Sequence, residues 1–292
     1  MNDHSERQPS SGLTPVRLAE GEAASSPIRL LLSDMDGTLL MPDHSLSPGV
    51  IAAVHRLREA GVHFSLASAR PPRAMREQVR QLGIDVPTLA FNGGNLCAPD
   101  GTVVQRHCID PAAVRKAFVL FSQHPVTVWV FADDLWLAHD HSGAYFETEL
   151  HALGYGPTLV DDFAPYMERI DKVVATTDDF QLLIDLEHQL LPQIEGQALA
   201  SRSQRYYLDV TALAANKGDA LTSLADYLQI PLAQTAAIGD GANDVPMFHR
   251  AGFAIAMGQA DPAVQAQADA ITGSNADEGV ASAIEQLILP RA

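Results

Sequence analysis

Short apolar runs that stop at polar turns and alternate with helical segments restrict the fold of this chain more than any other feature. Ile28 to Leu32 is such a run, too short for a helix and typical of a strand buried on both faces. It halts at Ser33-Asp34, and Gly37 forces a turn. Ser47 then caps a helix with Pro48 at its first position, and Gly61 closes it. Val62 to Ala67 reads as the next strand, followed by a polar helix from about Arg73 to Leu82 that ends at Gly83. Thr88 to Phe91 is a third strand, halted by Asn92-Gly93-Gly94. Strand, helix, strand, helix, strand predicts a parallel sheet wrapped by helices.

The rhythm changes in the middle of the chain. Asp100-Gly101 between β-prone runs signals a hairpin, and Asp110-Pro111 starts a helix. Thr127 to Ala132 and Leu135 to Ala138 read as paired strands, Gly143 to Leu153 as a helix and Lys172 to Thr176 as a strand. Phe180 to Leu191 reads as a helix and Tyr206 to Val210 as a strand. This mixture predicts an α+β insert over residues 95–204. The parallel pattern then returns, with a helix from Lys217 to Leu228 and a buried strand from Thr235 to Ile238 ending at Gly239-Asp240. A helix near Asn243 to His249, a strand from Phe253 to Met257 and a helix near Gly279 to Leu289 complete it. The expected architecture is α/β: a Rossmann-like parallel core from residues 28–94 and 205–292, interrupted by the insert. Residues 1–27, rich in Ser, Glu, Pro and Ala, read as a disordered, mobile tail without the basic start and apolar middle of a secretory signal.

Composition narrows the function. A formal net charge of -17 repels nucleic acid and anionic lipid, so neither is an expected partner. No apolar run reaches the roughly 18 residues of a membrane span. Two isolated cysteines, Cys97 and Cys108, fit a reducing compartment and lack metal or redox spacing, so a cytoplasmic protein with inert thiols is expected. The oligomeric state is not legible.

Ligands of open parallel sheets bind beyond the carboxyl ends of the strands. The first strand ends in Asp34-Met35-Asp36-Gly37, the second in Ala67-Ser68-Ala69-Arg70 and a later one in Gly239-Asp240-Gly241-Ala242-Asn243-Asp244, while Lys217 opens a core helix. Crowded carboxylates repel one another unless a cation neutralises them, and all-oxygen ligands suit Mg2+. Lysine and serine instead suit phosphate oxygens. A magnesium–phosphate site follows, in which Asp34 is the nucleophile at phosphorus. Asp36 would protonate the leaving oxygen and then deprotonate the hydrolytic water. Gly37 leaves its backbone N–H free to approach a phosphate oxygen.

The run Asp-Met-Asp-Gly-Thr-Leu-Leu from Asp34 resembles the signature of the haloacid dehalogenase (HAD) superfamily. Ile238 to Met247, Ala256-Met257-Gly258, Asn92-Gly93 and Asn216-Lys217-Gly218 resemble its Cof-type branch. The resemblance implies that Asp34, Asp240 and Asp244 ligate Mg2+, the last directly or through water, and that Asp36 does so through its backbone carbonyl. It implies that Ser68 holds the phosphoryl group and that Lys217 bridges phosphate and Asp34. Asn243 would contact the phosphoryl group or its carrier, and Asn92 and Gly93 belong to the substrate-binding set. The insert would be the α/β cap that selects substrates. The sequence departs from the pattern at Ala69, where glycine is common, at Asp209, where glutamate is usual, and at Gly94, where alanine is frequent.

The implied activity is a HAD-type phosphatase acting on small metabolites such as sugar phosphates, pyridoxal phosphate or FMN. A phosphomutase and a non-catalytic sugar-phosphate sensor are the alternatives. Arg70 is expected either to contact substrate or to pair with an acid. Lys172 is expected in a surface salt bridge or reaching into the cleft, and His139-Asp140-His141 in a polar loop rather than a metal site.

Overall fold

The computed structural model describes residues 16–18 and 26–292. A six-stranded sheet runs in the order Arg17–Leu18, Ala270–Ile271, Phe253–Ala256, Thr235–Gly239, Leu30–Ser33, His63–Leu66. All neighbours are parallel except the first pair. The expected tail therefore contributes an antiparallel edge strand at Arg17–Leu18, while most of residues 1–27 lie outside the described residues.

Alternation along each strand divides the core in two. Leu31, Phe64, Ile238 and Ile255 pack on one face with Val54 and Leu57 of the Pro48–Glu59 helix and Met75 and Val79 of the Pro72–Leu82 helix. Leu30, Leu32, Ala237 and Ala254 pack on the other face with Leu221 and Leu224 of the Lys217–Leu228 helix. Burial of each large apolar side chain contributes about 1.5–3 kcal/mol. The local signals act as read: Ser47 accepts from the Val50 N–H, and Gly83 ends its helix at φ 60°.

A parallel bridge from Ala67 to Leu89 leads to a three-stranded antiparallel sheet of Thr88–Ala90, Asn95–Cys97 and Val103–Arg106. Pairing thus runs across the insert boundary expected at Asn95. A second six-stranded sheet has the order Ala198–Gln204, Tyr207–Ala212, Ile170–Thr176, Thr127–Ala132, Leu135–Ala138, Thr158–Leu159. Tyr207–Ala212 pairs with Ile170–Thr176 here, so pairing also runs across the boundary expected between Gln204 and Arg205. The helices Pro111–Phe121 and Phe180–Ile194 cover one face of this sheet. The opposite face turns Trp129, Phe131 and Trp136 toward the core, where the Phe131 ring lies 6.0 Å from Phe91.

The chain crosses between the two bodies after Arg106 and again after Ala212. The crossings are neighbours: His107 N–H donates to the Gly94 carbonyl at 2.8 Å, and a Cβ on Gly94 would stand 3.5 Å from that of Ala215. Several expected elements differ at their ends. The helix expected from Gly143 begins at Phe146, and that expected from Asn243 is a 3-10 turn over Ala242–Asp244 followed by a helix over Val245–Phe248. The strand expected to reach Phe91 stops at Ala90, because Phe91 and Asn92 turn to φ 51° and 56°. No helix among the described residues is long and apolar enough to cross a membrane.

Candidate active site

Leu30–Ser33 and Thr235–Gly239 are adjacent parallel strands, so their carboxyl ends deliver Asp34 and Asp240 to the same rim. The turn after Gly239 brings Asp244 back beneath them. Its Oδ2 accepts from the N–H groups of Asp240 and Gly241, both at 2.9 Å, which fixes the turn. One oxygen from each of Asp34, Asp240 and Asp244 lies within 4.8 Å of the others. Lys217, fully buried at the start of its helix, donates from Nζ to Asp34 Oδ1 at 2.5 Å and Asp244 Oδ1 at 2.6 Å. Asn216 caps this helix by accepting from the Asp219 N–H.

Burial pushes the Asp34 carboxyl well up; Lys217 opposes the rise, and Asp244 and Asp240 add to it. Burial likewise pushes up Asp240, with Asp244 adding to the rise. For Lys217, burial works against the charged form, but Asp244 and Asp34 outweigh it and hold the ammonium protonated. One lysine among three carboxylates leaves excess negative charge in a mostly buried site. A hard divalent cation with oxygen ligands is the group this donor set fits.

Thr38 and Gly37 shape the same spot. Thr38 Oγ1 donates to Asp240 Oδ1 at 2.9 Å. Gly37 adopts φ 82°, and a Cβ there would stand 2.5–2.9 Å from the Asp240 carboxylate atoms. Its carbonyl accepts from Gln259 Nε2, a partner that no sequence pattern marked.

The Asp36 carboxylate is not part of the cluster. Arg70 grips it bidentately, Nε to Oδ2 at 2.7 Å and Nη2 to Oδ1 at 2.6 Å, and His44 Nδ1 lies 3.2 Å from Oδ1. Burial alone would raise the Asp36 carboxyl, but the His44 and Arg70 hydrogen bonds outweigh it and hold it well below the usual range. The Asp36 contact in turn raises the His44 imidazole. Arg70 Nη1 also donates to the Ala152 carbonyl of the insert at 3.2 Å. Of the two uses expected for Arg70, the structure places it on an acid.

Ser68 is buried, and its Oγ accepts from the Arg70 N–H at 3.1 Å. Asn243 Nδ2 donates to Asn92 Oδ1 at 3.2 Å, bringing those two residues together at the rim. Gly93, at φ 99°, lies so close to the Lys217 helix that a Cβ would meet Ala220 Cβ at 2.3 Å. Lys172 is not in the surface salt bridge that was one of its two expected places. It is 6 % exposed and pairs with buried Asp209 at 3.4 Å, on the face of the insert turned to the core. His139 bonds the Val160 carbonyl and its ring lies tilted against Phe163, whereas the His141 ring lies against Phe146, so the two serve different contacts. Burial pushes the Cys97 thiol up to about 12 and raises Cys108, so both thiols stay protonated.

The family model for haloacid dehalogenase-like hydrolases matches residues 31–284. The chain belongs to this family. The enzyme class expected from the motifs, a HAD-type phosphatase, stands with it. Among curated relatives, the HMP-PP phosphatase of Cronobacter sakazakii (strain ATCC BAA-894) is 30 % identical over 239 residues, covering 82 % of this chain and 87 % of the relative. Among solved structures, a haloacid dehalogenase-like hydrolase from Bacteroides thetaiotaomicron is 25 % identical with a TM-score of 0.82, covering 89 % of this chain and 99 % of that one. A second protein from that organism, described among phosphatases of the HAD superfamily, is 26 % identical with a TM-score of 0.78, covering 96 % and 100 %. The α/β fold with its parallel sheet is thus that of this HAD hydrolase.

Proposed function

We propose that the chain is a Mg2+-dependent phosphatase that hydrolyses phosphate monoesters of small metabolites through an aspartyl-phosphate on Asp34. Sugar phosphates and phosphorylated cofactors such as pyridoxal phosphate or FMN are the substrate class. The observation that carries the reading is the buried cluster of Asp34, Asp240 and Asp244 around Lys217 at the strand ends. The likeness to an HMP-PP phosphatase supports a small phosphorylated metabolite as substrate.

Asp34, Asp240 and Asp244 would hold Mg2+ with the Asp36 backbone carbonyl. The ion, when bound, neutralises charge on the phosphoryl oxygens. Lys217 fixes Asp34 and adds a second positive charge beside the reacting carboxylate. Asp34 forms an O–P bond as the bond from phosphorus to the leaving oxygen breaks, and Asp36 gives that oxygen a proton. Asp36 then takes a proton from water, which attacks phosphorus and releases phosphate, restoring Asp34. Ser68, Asn92, Asn243 and the N–H groups of Gly37 and Gly93 line the phosphoryl site. Held by Arg70 and His44, Asp36 is ionised and set as a base; its acid role requires parting from Arg70.

Asp34→Asn is the test. The amide is nearly isosteric and not nucleophilic, so the variant is expected to stay folded and lose turnover. Acid quench with 32P-labelled substrate is expected to trap phosphoenzyme on the wild type only. Substantial steady-state turnover by the variant would sink the assignment.

A further inference from the structure

The helix Pro72–Leu82 starts two residues after Arg70 and brings no cap of its own. Its N-cap position is Pro71, whose side chain offers no acceptor, and its first turn holds no acid. Pro71 and Pro72 carry no N–H, and Ala74 N–H donates to the Pro71 carbonyl at 3.1 Å. The donor left over is the Arg73 N–H, and the insert takes it. Asp134 Oδ1 accepts it at 3.2 Å, while Asp134 Oδ2 accepts from Arg76 Nη2 at 2.5 Å. A carboxylate at that place satisfies an orphan donor and answers the positive end of the helix dipole.

Asp134 stands at the tip of the hairpin that joins Thr127–Ala132 to Leu135–Ala138, where Ala132 pairs with Leu135 across a two-residue turn. Both turn residues have positive φ, 52° at Asp133 and 63° at Asp134. Such turns favour Asn-Gly, since glycine takes this backbone without strain. Two carboxylates stand there instead, and each is engaged. Asp133 pairs with Arg106 at 3.1 Å and Arg169 at 2.9 Å, whereas Asp134 reaches the core helix. Two more groups of the insert meet the same stretch of core. The Tyr155 ring centroid lies 4.3 Å from Arg73 Cζ, and the Ala152 carbonyl accepts from Arg70 Nη1 at 3.2 Å.

We infer that Asp134 is a positioning residue: through it the insert supplies the N-cap of a core helix, so that seating of the insert and ordering of the segment carrying Ser68 and Arg70 are one event. The link to activity rests on the phosphatase reading above; the capping itself does not. Ser68 Oγ accepts from the Arg70 N–H, the Arg70 carbonyl accepts from Phe91 N–H at 3.0 Å, and the Ser68 carbonyl accepts from Asn92 N–H at 2.7 Å. A shift of the helix start is therefore passed to Ser68, Arg70 and Asn92 together, and through Arg70 to Asp36. With the insert unseated, the Arg73 N–H and the Arg76 guanidinium lose Asp134 at once, and the helix start frays.

Three variants of the full chain test this. Asp134→Gly removes the cap and eases the turn, so it is expected to fold. Asp134→Asn keeps an acceptor for the Arg73 N–H and tolerates the positive φ. Asp134→Gly combined with Pro71→Ser gives the helix a cap from its own segment. Hydrogen exchange without substrate, read by mass spectrometry on the peptide covering residues 70–82, is the first measurement. The first-turn amides are expected to exchange about 2–30-fold faster in Asp134→Gly, the range of one lost N-cap. They should stay near wild type in Asp134→Asn and return toward it when Pro71→Ser is added. The second measurement is kcat for p-nitrophenyl phosphate with Mg2+, which should fall and recover in the same order. A merely structural role would lower Tm but leave kcat unchanged at a temperature where every variant is folded. Unchanged exchange in Asp134→Gly overturns the cap, and a kcat that Pro71→Ser does not restore overturns the coupling. If wild type fails to hydrolyse p-nitrophenyl phosphate, the phosphatase reading fails, while the exchange comparison still decides the cap.

Discussion

Replacing Lys217 by methionine is expected to destabilise the metal-free protein by about 3–5 kcal/mol at pH 8, the cost of breaking a buried ion pair from one side. Lys217 is fully buried, with Asp34 and Asp244 at 2.5 and 2.6 Å. Methionine fills nearly the same volume, so the loss is chiefly electrostatic: two carboxylates lose their donor and face each other and Asp240 without a cation. The deficit should shrink on going from pH 8 to pH 5, because burial already raises the Asp34 and Asp240 carboxyls and protonation removes the charge left without a partner. It should also shrink in excess Mg2+, which replaces the lost positive charge. Urea unfolding followed by circular dichroism, in EDTA and in Mg2+, at both pH values, measures all four cases. A variant within about 1 kcal/mol of wild type in EDTA at pH 8 would refute the reasoning, since a buried charge set cannot lose its cation so cheaply.

Two further outcomes follow from the same cluster. The folded-state carboxyls of Asp34 and Asp240 are raised, so their contribution to stability is present below the usual carboxylate range and is lost as pH rises through the raised values. The gain in Tm on adding Mg2+ is therefore expected to grow between about pH 5 and 8; a gain that is flat or falls with pH in scanning calorimetry would contradict this. Gly37→Ala places a methyl against the Asp240 carboxylate at a positive φ, a backbone cost of about 1–2 kcal/mol before any clash. It is expected to raise the Mg2+ concentration for half-maximal activity, and unchanged metal dependence would remove Gly37 from the role of making room for Asp240.

The elements that position the cluster were legible because their signals are local. Apolar strands, Ser47 with Pro48, and Gly83 declare themselves within a few residues. The sheet each strand joins is decided by partners far along the chain. Asp100-Gly101 marks a hairpin correctly, yet nothing in it says that Asn95–Cys97 pairs back to Thr88–Ala90. Tyr207–Ala212 likewise reads as a strand, while its partners, Ile170–Thr176 and Ala198–Gln204, set its place. At the site, the acids and Lys217 stood at strand and helix ends where the fold class directs attention. His44 lies in an exposed turn with no periodicity, so its contact with Asp36 was invisible. Lys172 alternates inward along its strand, but its burial depends on Asp209 from the neighbouring strand.

The two crossings between the bodies have a mechanical consequence. They run side by side, one tied to Gly94 and the other through Ala215 into Asn216 and Lys217. A rotation of the insert about this pair of threads displaces each atom in proportion to its distance from them. Asn92, Gly93 and Lys217 adjoin these threads in the chain and would shift little, whereas Ala152, which accepts from Arg70, rides on a helix of the insert and would move with it. Opening would thus pull on the grip around Asp36 while leaving the seat of the nucleophile in register.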